Sequence, residues 1–236
     1  MAIQLFDELN DYKYILEKWF GGDETIRPEE RKRRIDLAED IAEILLIYFS
    51  LIEDGQRQNE FAYVDFLAER LKSVAEGNLS VENVAYINDW SENQARKFTK
   101  TTLDMLDEDE DETAESEEQT EQPEKVIKFE EYDLEIPKKE YPTSPARAVL
   151  ASVSFATTVS NYGKYYEESE KGCLLKRWVT MNDGRERDTH KAVHDTTVGI
   201  NEYFIVGGAE MLFPGDTEHG APDEEIINCR CAVEYF

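Results

Sequence analysis

The sequence predicts an α+β protein with an N-terminal antiparallel helical domain and a small C-terminal α+β domain that contains a short antiparallel sheet. Three observations predict this arrangement. Apolar residues recur every three or four positions over the first hundred residues, whereas residues 176–236 alternate short apolar stretches with turn signals. Between them, residues 107–124 are acidic and polar and contain no basic or aromatic residue. We therefore place the helical domain at 1–106 and the α+β domain at 125–236.

Five stretches with helical periodicity lie in the predicted helical domain. The predicted limits are Leu5 to Gly21-Gly22, Pro28 to Asp54-Gly55, Phe61 to Gly77-Asn78, a short element from Val84 to Trp90, and a fifth helix from the capping box Ser91–Gln94 toward Leu103. Proline suits a first helical position, and glycine commonly follows the last one. Helices separated by such short connections are expected to pack antiparallel.

The acidic segment, residues 107–124, is predicted to be a disordered linker. A segment of this composition cannot bury enough apolar surface to offset the entropy lost on ordering. Its simplest role is that of a solvated spacer. The alternative is an electrostatic role, in which it repels DNA or mimics DNA toward a basic partner.

The predicted C-terminal domain begins with an extended segment, Val126 to Ile136, followed by a long helix. Ser144 suits the N-cap of that helix and Pro145 its first position, and Gly172 is its natural end. Further elements are predicted as strands at 178–180, 203–206 and 227–235, a turn at 182–184, and a short polar helix that carries His190 and His194.

The amino-acid composition limits the classes of partner that the protein can bind. The net charge of −27 and the pI near 4.4 oppose a general attraction to nucleic-acid phosphates, so any contact with DNA or RNA must be local. We expect a chain made in the cytoplasm without membrane contact, because no apolar run has the length of a membrane span. Cys173, Cys229 and Cys231 are too few and too unevenly spaced for a disulfide framework, so reduced thiols are expected.

An ordered set of residues in the last sixty positions forms a recognisable pattern. The set is Trp178, Asp183, Arg185, Arg187, His190, Asp195, Pro214, Gly215, Asp216, Asn228, Cys229, Arg230 and Cys231. In order and spacing it resembles the phage Mu protein F-like head-morphogenesis family. The Asn-Cys-Arg-Cys part alone would be weak evidence, but the whole set is specific.

The resemblance implies a function in the virion of a tailed bacteriophage. It implies a minor head protein that acts in capsid assembly, portal association, and DNA packaging or delivery, present in the host cytoplasm during assembly. The implied partners are the portal protein and the capsid or scaffolding proteins, with local contact to packaged DNA as a further expectation. Exposed apolar positions of the helical half are candidate partner contacts.

Two hypotheses about the cysteines follow from the residues. Alternation along a strand would put Cys229 and Cys231 on one face with Val233, as two buried, reduced thiols that behave as small apolar side chains. On this favoured interpretation no cofactor is bound. The alternative is a structural zinc site formed by Cys229, Cys231, His190 and His194, because the two histidines, four residues apart, share a helix face.

A third hypothesis is catalytic. His190 would act as general acid or base in a set that includes Asp195, and Arg185, Arg187 or Arg230 would stabilise a phosphate oxyanion, which suits metal-free RNA cleavage by a toxin-like ribonuclease. The simpler interpretation, which we favour, is that these charged residues and Asp183 form hydrogen bonds that hold a loop-rich domain together.

Two loop features carry simpler predictions. Pro214, Gly215 and Asp216 are predicted to form a turn. His219, beside Gly220, is predicted to be an exposed loop residue without a functional role.

Overall fold

The structure, a computed structural model, has mixed helices and small antiparallel sheets, which confirms the predicted α+β class. It describes residues 9–21, 27–54, 60–79, 84–115, 126–132 and 134–236. Within these ranges no helix combines the length and the apolar character that a membrane span requires.

In the N-terminal part, the structure gives the bounds of four helices within the described residues. They are α1 (Lys13–Phe20), α2 (Pro28–Glu53), α3 (Glu60–Leu79) and α4 (Ala85–Glu115). The limits of α2 agree with the prediction, and Pro28 occupies its first turn. The apolar stripe that predicted the first helix is interrupted by a turn at residues 11–12, and its start at Leu5 lies outside the described residues. Helix α3 passes Gly77 and ends at Leu79.

The predicted short fourth element and separate fifth helix are one continuous helix, α4. Ser91 is therefore not a cap: its hydroxyl donates to the carbonyl of Asn88, at 3.0 Å, inside the helix. The apolar face formed by Ile87, Trp90 and Ala95, all fully buried, continues across the predicted break. This shared face explains why the helix is not interrupted there.

Helix α4 also continues into the predicted acidic linker, so residues 107–115 are helical. Glutamate and alanine favour helix, and extending an existing helix needs no new nucleation. The rest of the predicted linker, residues 116–124, lies outside the described residues.

The C-terminal part combines short strands with one long helix. Its elements are β1 (Val126–Phe129), β2 (Leu134–Pro137), α5 (Pro145–Glu170), β3 (Leu175–Val179), α6 (Asp188–Ala192), β4 (Thr197–Gly199), β5 (Phe204–Val206), β6 (Ala209–Met211), α7 (Asp223–Ile226) and β7 (Ala232–Tyr235), with 3-10 turns at Glu130–Tyr132 and Lys138–Thr143. Strands β1 and β2 pair antiparallel, β5 pairs with β6, and the central sheet has the order β4-β3-β7. Ser144 caps α5 as predicted, accepting from the backbone N–H of Arg147.

The last strand is shorter than predicted. It begins at Ala232, and it pairs antiparallel with β3 so that Val233 lies opposite Trp178. Asn228 has a left-handed φ of +59°, which is incompatible with a continuous strand from residue 227. Cys229 and Cys231 both precede the strand, so the prediction that strand alternation positions them is wrong, but they are buried, free thiols that lie close together as predicted.

Helices α2 and α5 pack along each other and join the two predicted domains. One continuous cluster of buried residues runs from α1 to β7. Helix α5 is buried on nearly all sides, including polar residues such as Ser152, Thr157 and Asn161. The boundaries at residues 106 and 125 remain a prediction, since the described parts on either side share this core.

The side-chain amide of Asn161 connects α2, α5 and the C-terminal loops. Its oxygen accepts from the guanidinium of Arg34 at 2.9 Å, and its NH₂ group donates to the carbonyls of Pro214, at 3.0 Å, and Cys231, at 3.1 Å. Glu30 holds Arg34 at 2.8 Å and also accepts from Lys164 at 3.2 Å. Asn161 and Arg34 are almost completely buried, so the centre of the network forms away from water.

We expect Asn161→Ala to lower the free energy of unfolding by about 3 kcal/mol, because it leaves the Arg34 guanidinium and two carbonyls without their buried partner. Urea unfolding followed by circular dichroism measures this loss. Asn201→Ala is the matched control, since Asn201 is exposed and its side chain accepts from the Tyr165 hydroxyl. The control should change stability by less than about 0.5 kcal/mol. Equal losses in the two variants would contradict the importance of the network.

The ion pairs of Glu30 should make stability depend on pH. Burial opposes ionisation of Glu30, but Arg34 and Lys164 together hold the pKa of its carboxyl below the ordinary value of 4.5. A carboxylate with a lowered folded pKa stabilises the fold above its unfolded pKa, and this contribution is lost as the pH falls through the folded pKa. We expect Glu30→Gln to flatten the fall in the free energy of unfolding between about pH 5 and about pH 3. The exposed neighbour Glu29, changed to Gln, should leave the profile as in the wild type.

Candidate functional site

The strongest candidate site is a buried cluster of one imidazole and two thiols. His190 lies on α6, and Cys229 and Cys231 lie on the loop before β7. The Nδ1 atom of His190 is 3.4 Å from the Sγ atom of Cys231 and 3.7 Å from that of Cys229. All three ligand atoms lie within 4.8 Å of one another, and the residues are at most 3% exposed. The three side chains form a set of donors that suits a metal ion.

Neighbouring residues hold both the imidazole and the loop that carries the two cysteines in place. The imidazole of His190 packs edge-on against the Trp178 ring, with centroids 5.6 Å apart. On the other side, the backbone N–H of Cys229 donates to the carbonyl of Ile226, and the carbonyl of Cys231 accepts from Asn161. The loop therefore turns both thiols inward without help from strand alternation.

The second ring nitrogen of His190 is also occupied. Its Nε2 atom is 3.0 Å from a carboxylate oxygen of Glu225, on α7, and the same oxygen accepts from the Thr189 hydroxyl at 2.8 Å. Residue 207 beside it is glycine, and a Cβ there would lie 2.1 Å from a carboxylate oxygen of Glu225, which would then have to shift. Sequence reasoning missed Glu225, because in the stretch Asp223–Glu225 it looks like one member of a solvated acidic run.

Hydrogen bonds within the cluster shift the pKa values of the two thiols in opposite directions. A hydrogen bond from Cys231 lowers the pKa of the Cys229 thiol well below its usual value, aided by His190 and opposed by burial. The same hydrogen bond, together with burial, raises the pKa of the Cys231 thiol. Burial disfavours the charged form of His190, but the hydrogen bond to Cys229 leaves the pKa of the imidazole raised overall. Cys229 is therefore the first thiol to ionise.

His194 is not part of the cluster, contrary to the zinc hypothesis based on residues 190 and 194. Helix α6 ends at Ala192, so the four-residue spacing does not place both histidines on one helix face. The Nδ1 atom of His194 instead accepts from the backbone N–H of Thr180 at 3.1 Å, and Nε2 lies 3.5 Å from a carboxylate oxygen of Asp195.

The motif residues Asp183, Arg185, Arg187 and Arg230 form a network beside the cluster. The carboxylate of Asp183 accepts two hydrogen bonds from Arg230, at 2.7 and 2.9 Å, and a further one from Arg185 at 2.8 Å. Arg187 donates to the carbonyl of Ile227. Such charge-assisted bonds hold the 183–187 loop against the loop that carries the cysteines.

Asp195 does not join this network but contacts residues of strand β3. Its backbone is left-handed, with φ of +62°, and its N–H donates to the carbonyl of Trp178 at 2.9 Å. Aspartate tolerates this conformation better than most residues. The Asp195 side chain is 68% exposed, and its carboxylate lies 3.9 Å from Nε of Arg177.

The Pro214–Asp216 segment packs its backbone against α5. Gly215 has a φ of +83°, and a Cβ there would lie 2.7 Å from the hydroxyl oxygen of Thr158. The buried carboxylate of Asp216 accepts from the backbone N–H of Leu212 at 2.8 Å and lies 2.7 Å from Nδ1 of His219. His219 is therefore a half-buried partner of Asp216, and the prediction of an exposed loop residue is wrong.

A cavity of about 630 Å³ lies beside the cluster. Its walls come from both halves of the chain and include Trp19 and Phe98 from the helical part, Arg185 and Arg187 from the motif loop, and His190, Cys229 and Cys231. Sequence reasoning could not find this cavity, because it forms where segments far apart in the sequence meet.

The geometry bears on the ribonuclease hypothesis. His190 is buried, its two ring nitrogens face Glu225 and the thiols, and Arg187 is bonded to a backbone carbonyl. We therefore expect wild type and His190→Ala to give the same background signal when incubated with a labelled single-stranded RNA. Electrophoresis of the RNA measures cleavage, and His194→Ala is the control. Cleavage by wild type and His194→Ala, but not by His190→Ala, would contradict this expectation.

The comparisons with known proteins bear on the same segment. The family described as phage Mu protein F like protein matches residues 124–234, which include β1, α5, the cluster and most of β7. Searches of curated proteins and of solved structures returned no match. The matched residues contain the complete ordered set from Trp178 to Cys231. Residues 124–234, just under half of the chain, therefore form a phage Mu protein F-like domain.

Proposed function

We propose that this phage head protein is a minor head protein that docks to the portal vertex and acts in capsid assembly and in DNA packaging or delivery. The observation that carries the proposal is the family match over residues 124–234, the segment whose motif residues build the cluster and its supporting network. The proposed location is the virion, after assembly in the host cytoplasm. The proposed partners are the portal protein and neighbouring capsid or scaffolding proteins.

The distribution of charge supports docking to protein rather than broad binding to DNA. The chain carries 53 acidic and 26 basic residues, so its overall field repels phosphate. Several cations are also used inside the fold: Arg34 and Lys176 are fully buried, and Arg147 nearly so. Contact with packaged DNA would therefore have to be local.

Exposed apolar residues at one end of the central sheet, where β3 begins and β7 ends, offer a docking surface. Leu174, Leu175 and Phe236 are 76%, 46% and 51% exposed. They lie at neighbouring backbone positions, because the N–H groups of both leucines donate to the carbonyl of Phe236. We call these three residues the sheet-end patch. Exposed apolar residues of the helical part, such as Ile47 and Phe61, lie on separate helices. The sheet-end patch is therefore the better candidate for portal contact.

Co-purification tests the proposal. We expect the full chain, mixed with the portal protein of the same phage, to co-migrate in size-exclusion chromatography as a stable complex. Leu174→Ser should weaken that complex at least tenfold, since truncating an apolar anchor at an interface costs more than about 1.4 kcal/mol. Binding is measured by biolayer interferometry with immobilised portal protein.

Phe61→Ser is the matched control, because Phe61 is 77% exposed and lies on α3. Both variants remove an exposed apolar side chain, so neither should reduce stability much. Absence of any complex with wild type would overturn portal association. A loss of binding in Phe61→Ser with unchanged binding in Leu174→Ser would move the docking surface to the helical part.

A further inference from the structure

The distances within the His190, Cys229 and Cys231 cluster match those between ligands of one tetrahedral metal ion. Zinc binds sulfur at about 2.3 Å and histidine nitrogen at about 2.0–2.1 Å, which puts neighbouring sulfur and nitrogen ligands about 3.6 Å apart. The distances from Nδ1 of His190 to the two sulfur atoms are 3.4 and 3.7 Å. Both nitrogen-to-sulfur distances therefore fit one tetrahedral ion, and all three donor atoms lie within 4.8 Å of one another.

Glu225 orients the imidazole as a ligand. A metal-binding histidine commonly donates its other ring N–H to a carboxylate, which fixes the tautomer and makes the free nitrogen a better ligand. Glu225 lies 3.0 Å from Nε2 of His190 and is itself held by the Thr189 hydroxyl. With the proton on Nε2, Nδ1 presents its lone pair toward the two sulfur atoms.

The negative charges around the cluster would offset the charge of a divalent metal ion. Two thiolates neutralise one divalent ion, and the carboxylate of Glu225 lies within a few ångströms of the histidine. Arg230, the cation between the two cysteines in sequence, is paired with both oxygens of Asp183. The repulsion that an unpaired arginine would exert on a metal ion is therefore largely compensated.

We propose that Cys229, Cys231 and His190 bind one Zn²⁺ ion, oriented through Glu225, with the fourth coordination position facing the adjoining cavity. Two sulfurs and one imidazole select a soft or borderline ion over Mg²⁺ or Ca²⁺, which prefer oxygen ligands. The cavity lining includes all three ligand residues, so water or another small ligand has access to the fourth position. The ion would join α6 to the loop before β7.

Metal analysis tests this inference, which does not depend on portal docking. The full chain is purified with reductant, loaded with zinc sulfate, passed over a desalting column and measured by inductively coupled plasma mass spectrometry. We expect about one zinc per chain in wild type and less than about a tenth of that in Cys229→Ser and in Cys231→Ser. Glu225→Gln should weaken zinc affinity about 10- to 100-fold, measured by competition with a chromophoric chelator.

Cys173→Ser is the matched control, because Cys173 is a free, half-buried thiol that bonds to Glu168 away from the cluster. It should retain the zinc content of wild type. If the cluster variants fold poorly by circular dichroism, cobalt-loaded wild type decides the question through its thiolate-to-cobalt absorption bands. Wild type without bound zinc and without those bands, or Cys229→Ser with full zinc content, would overturn the proposal.

Discussion

The buried amide of Asn161 is the interaction on which the arrangement of the two halves depends. One oxygen and two N–H groups reach a guanidinium on α2, the carbonyl of Pro214 and the carbonyl of Cys231. An asparagine amide in this position has no remaining N–H to satisfy, so the three segments must meet with one geometry. Apolar packing of α5 against α2 supplies the driving force for association, while this polar contact determines its alignment.

The same alignment positions the cluster. Asn161 holds the carbonyl of Cys231, and Asp183 holds the side chain of Arg230, the residue between the two cysteines in sequence. The carbonyl of Ile227 accepts from Arg187. A loop of irregular backbone is thus held at several points before it enters β7. The strands of the central sheet have only three to five residues, so regular strand pairing holds little of this domain. Charge-assisted hydrogen bonds and the shared core hold the loop instead.

Charge is distributed unevenly between interior and surface. Arg34, Arg147 and Lys176 are nearly completely buried: Arg147 lies over the Phe98 ring and bonds to Thr102, and Lys176 donates to the carbonyl of Leu212. Their stems fill the core while their charged ends find acceptors. These cations are used internally, and acidic residues dominate the composition. The exposed apolar residues Leu174 and Phe236 therefore suit contact with a protein better than contact with a nucleic acid.

By itself, the sequence determined the α+β class, the limits of α2 and the capped start of α5 at Ser144, because helical periodicity and local capping are encoded by neighbouring residues. It also determined the resemblance of residues 124–234 to the phage Mu protein F-like family, through an ordered motif. The sequence could not determine that α4 continues past Ser91 or that His194 lies outside the cluster. Nor could it determine that Glu225 contacts His190 and that Asn161 holds the carbonyl of Cys231. Those outcomes depend on which distant segments pack together: the apolar face of α4, the early end of α6 and the left-handed turn at Asn228 were decided by tertiary contacts rather than by local preference.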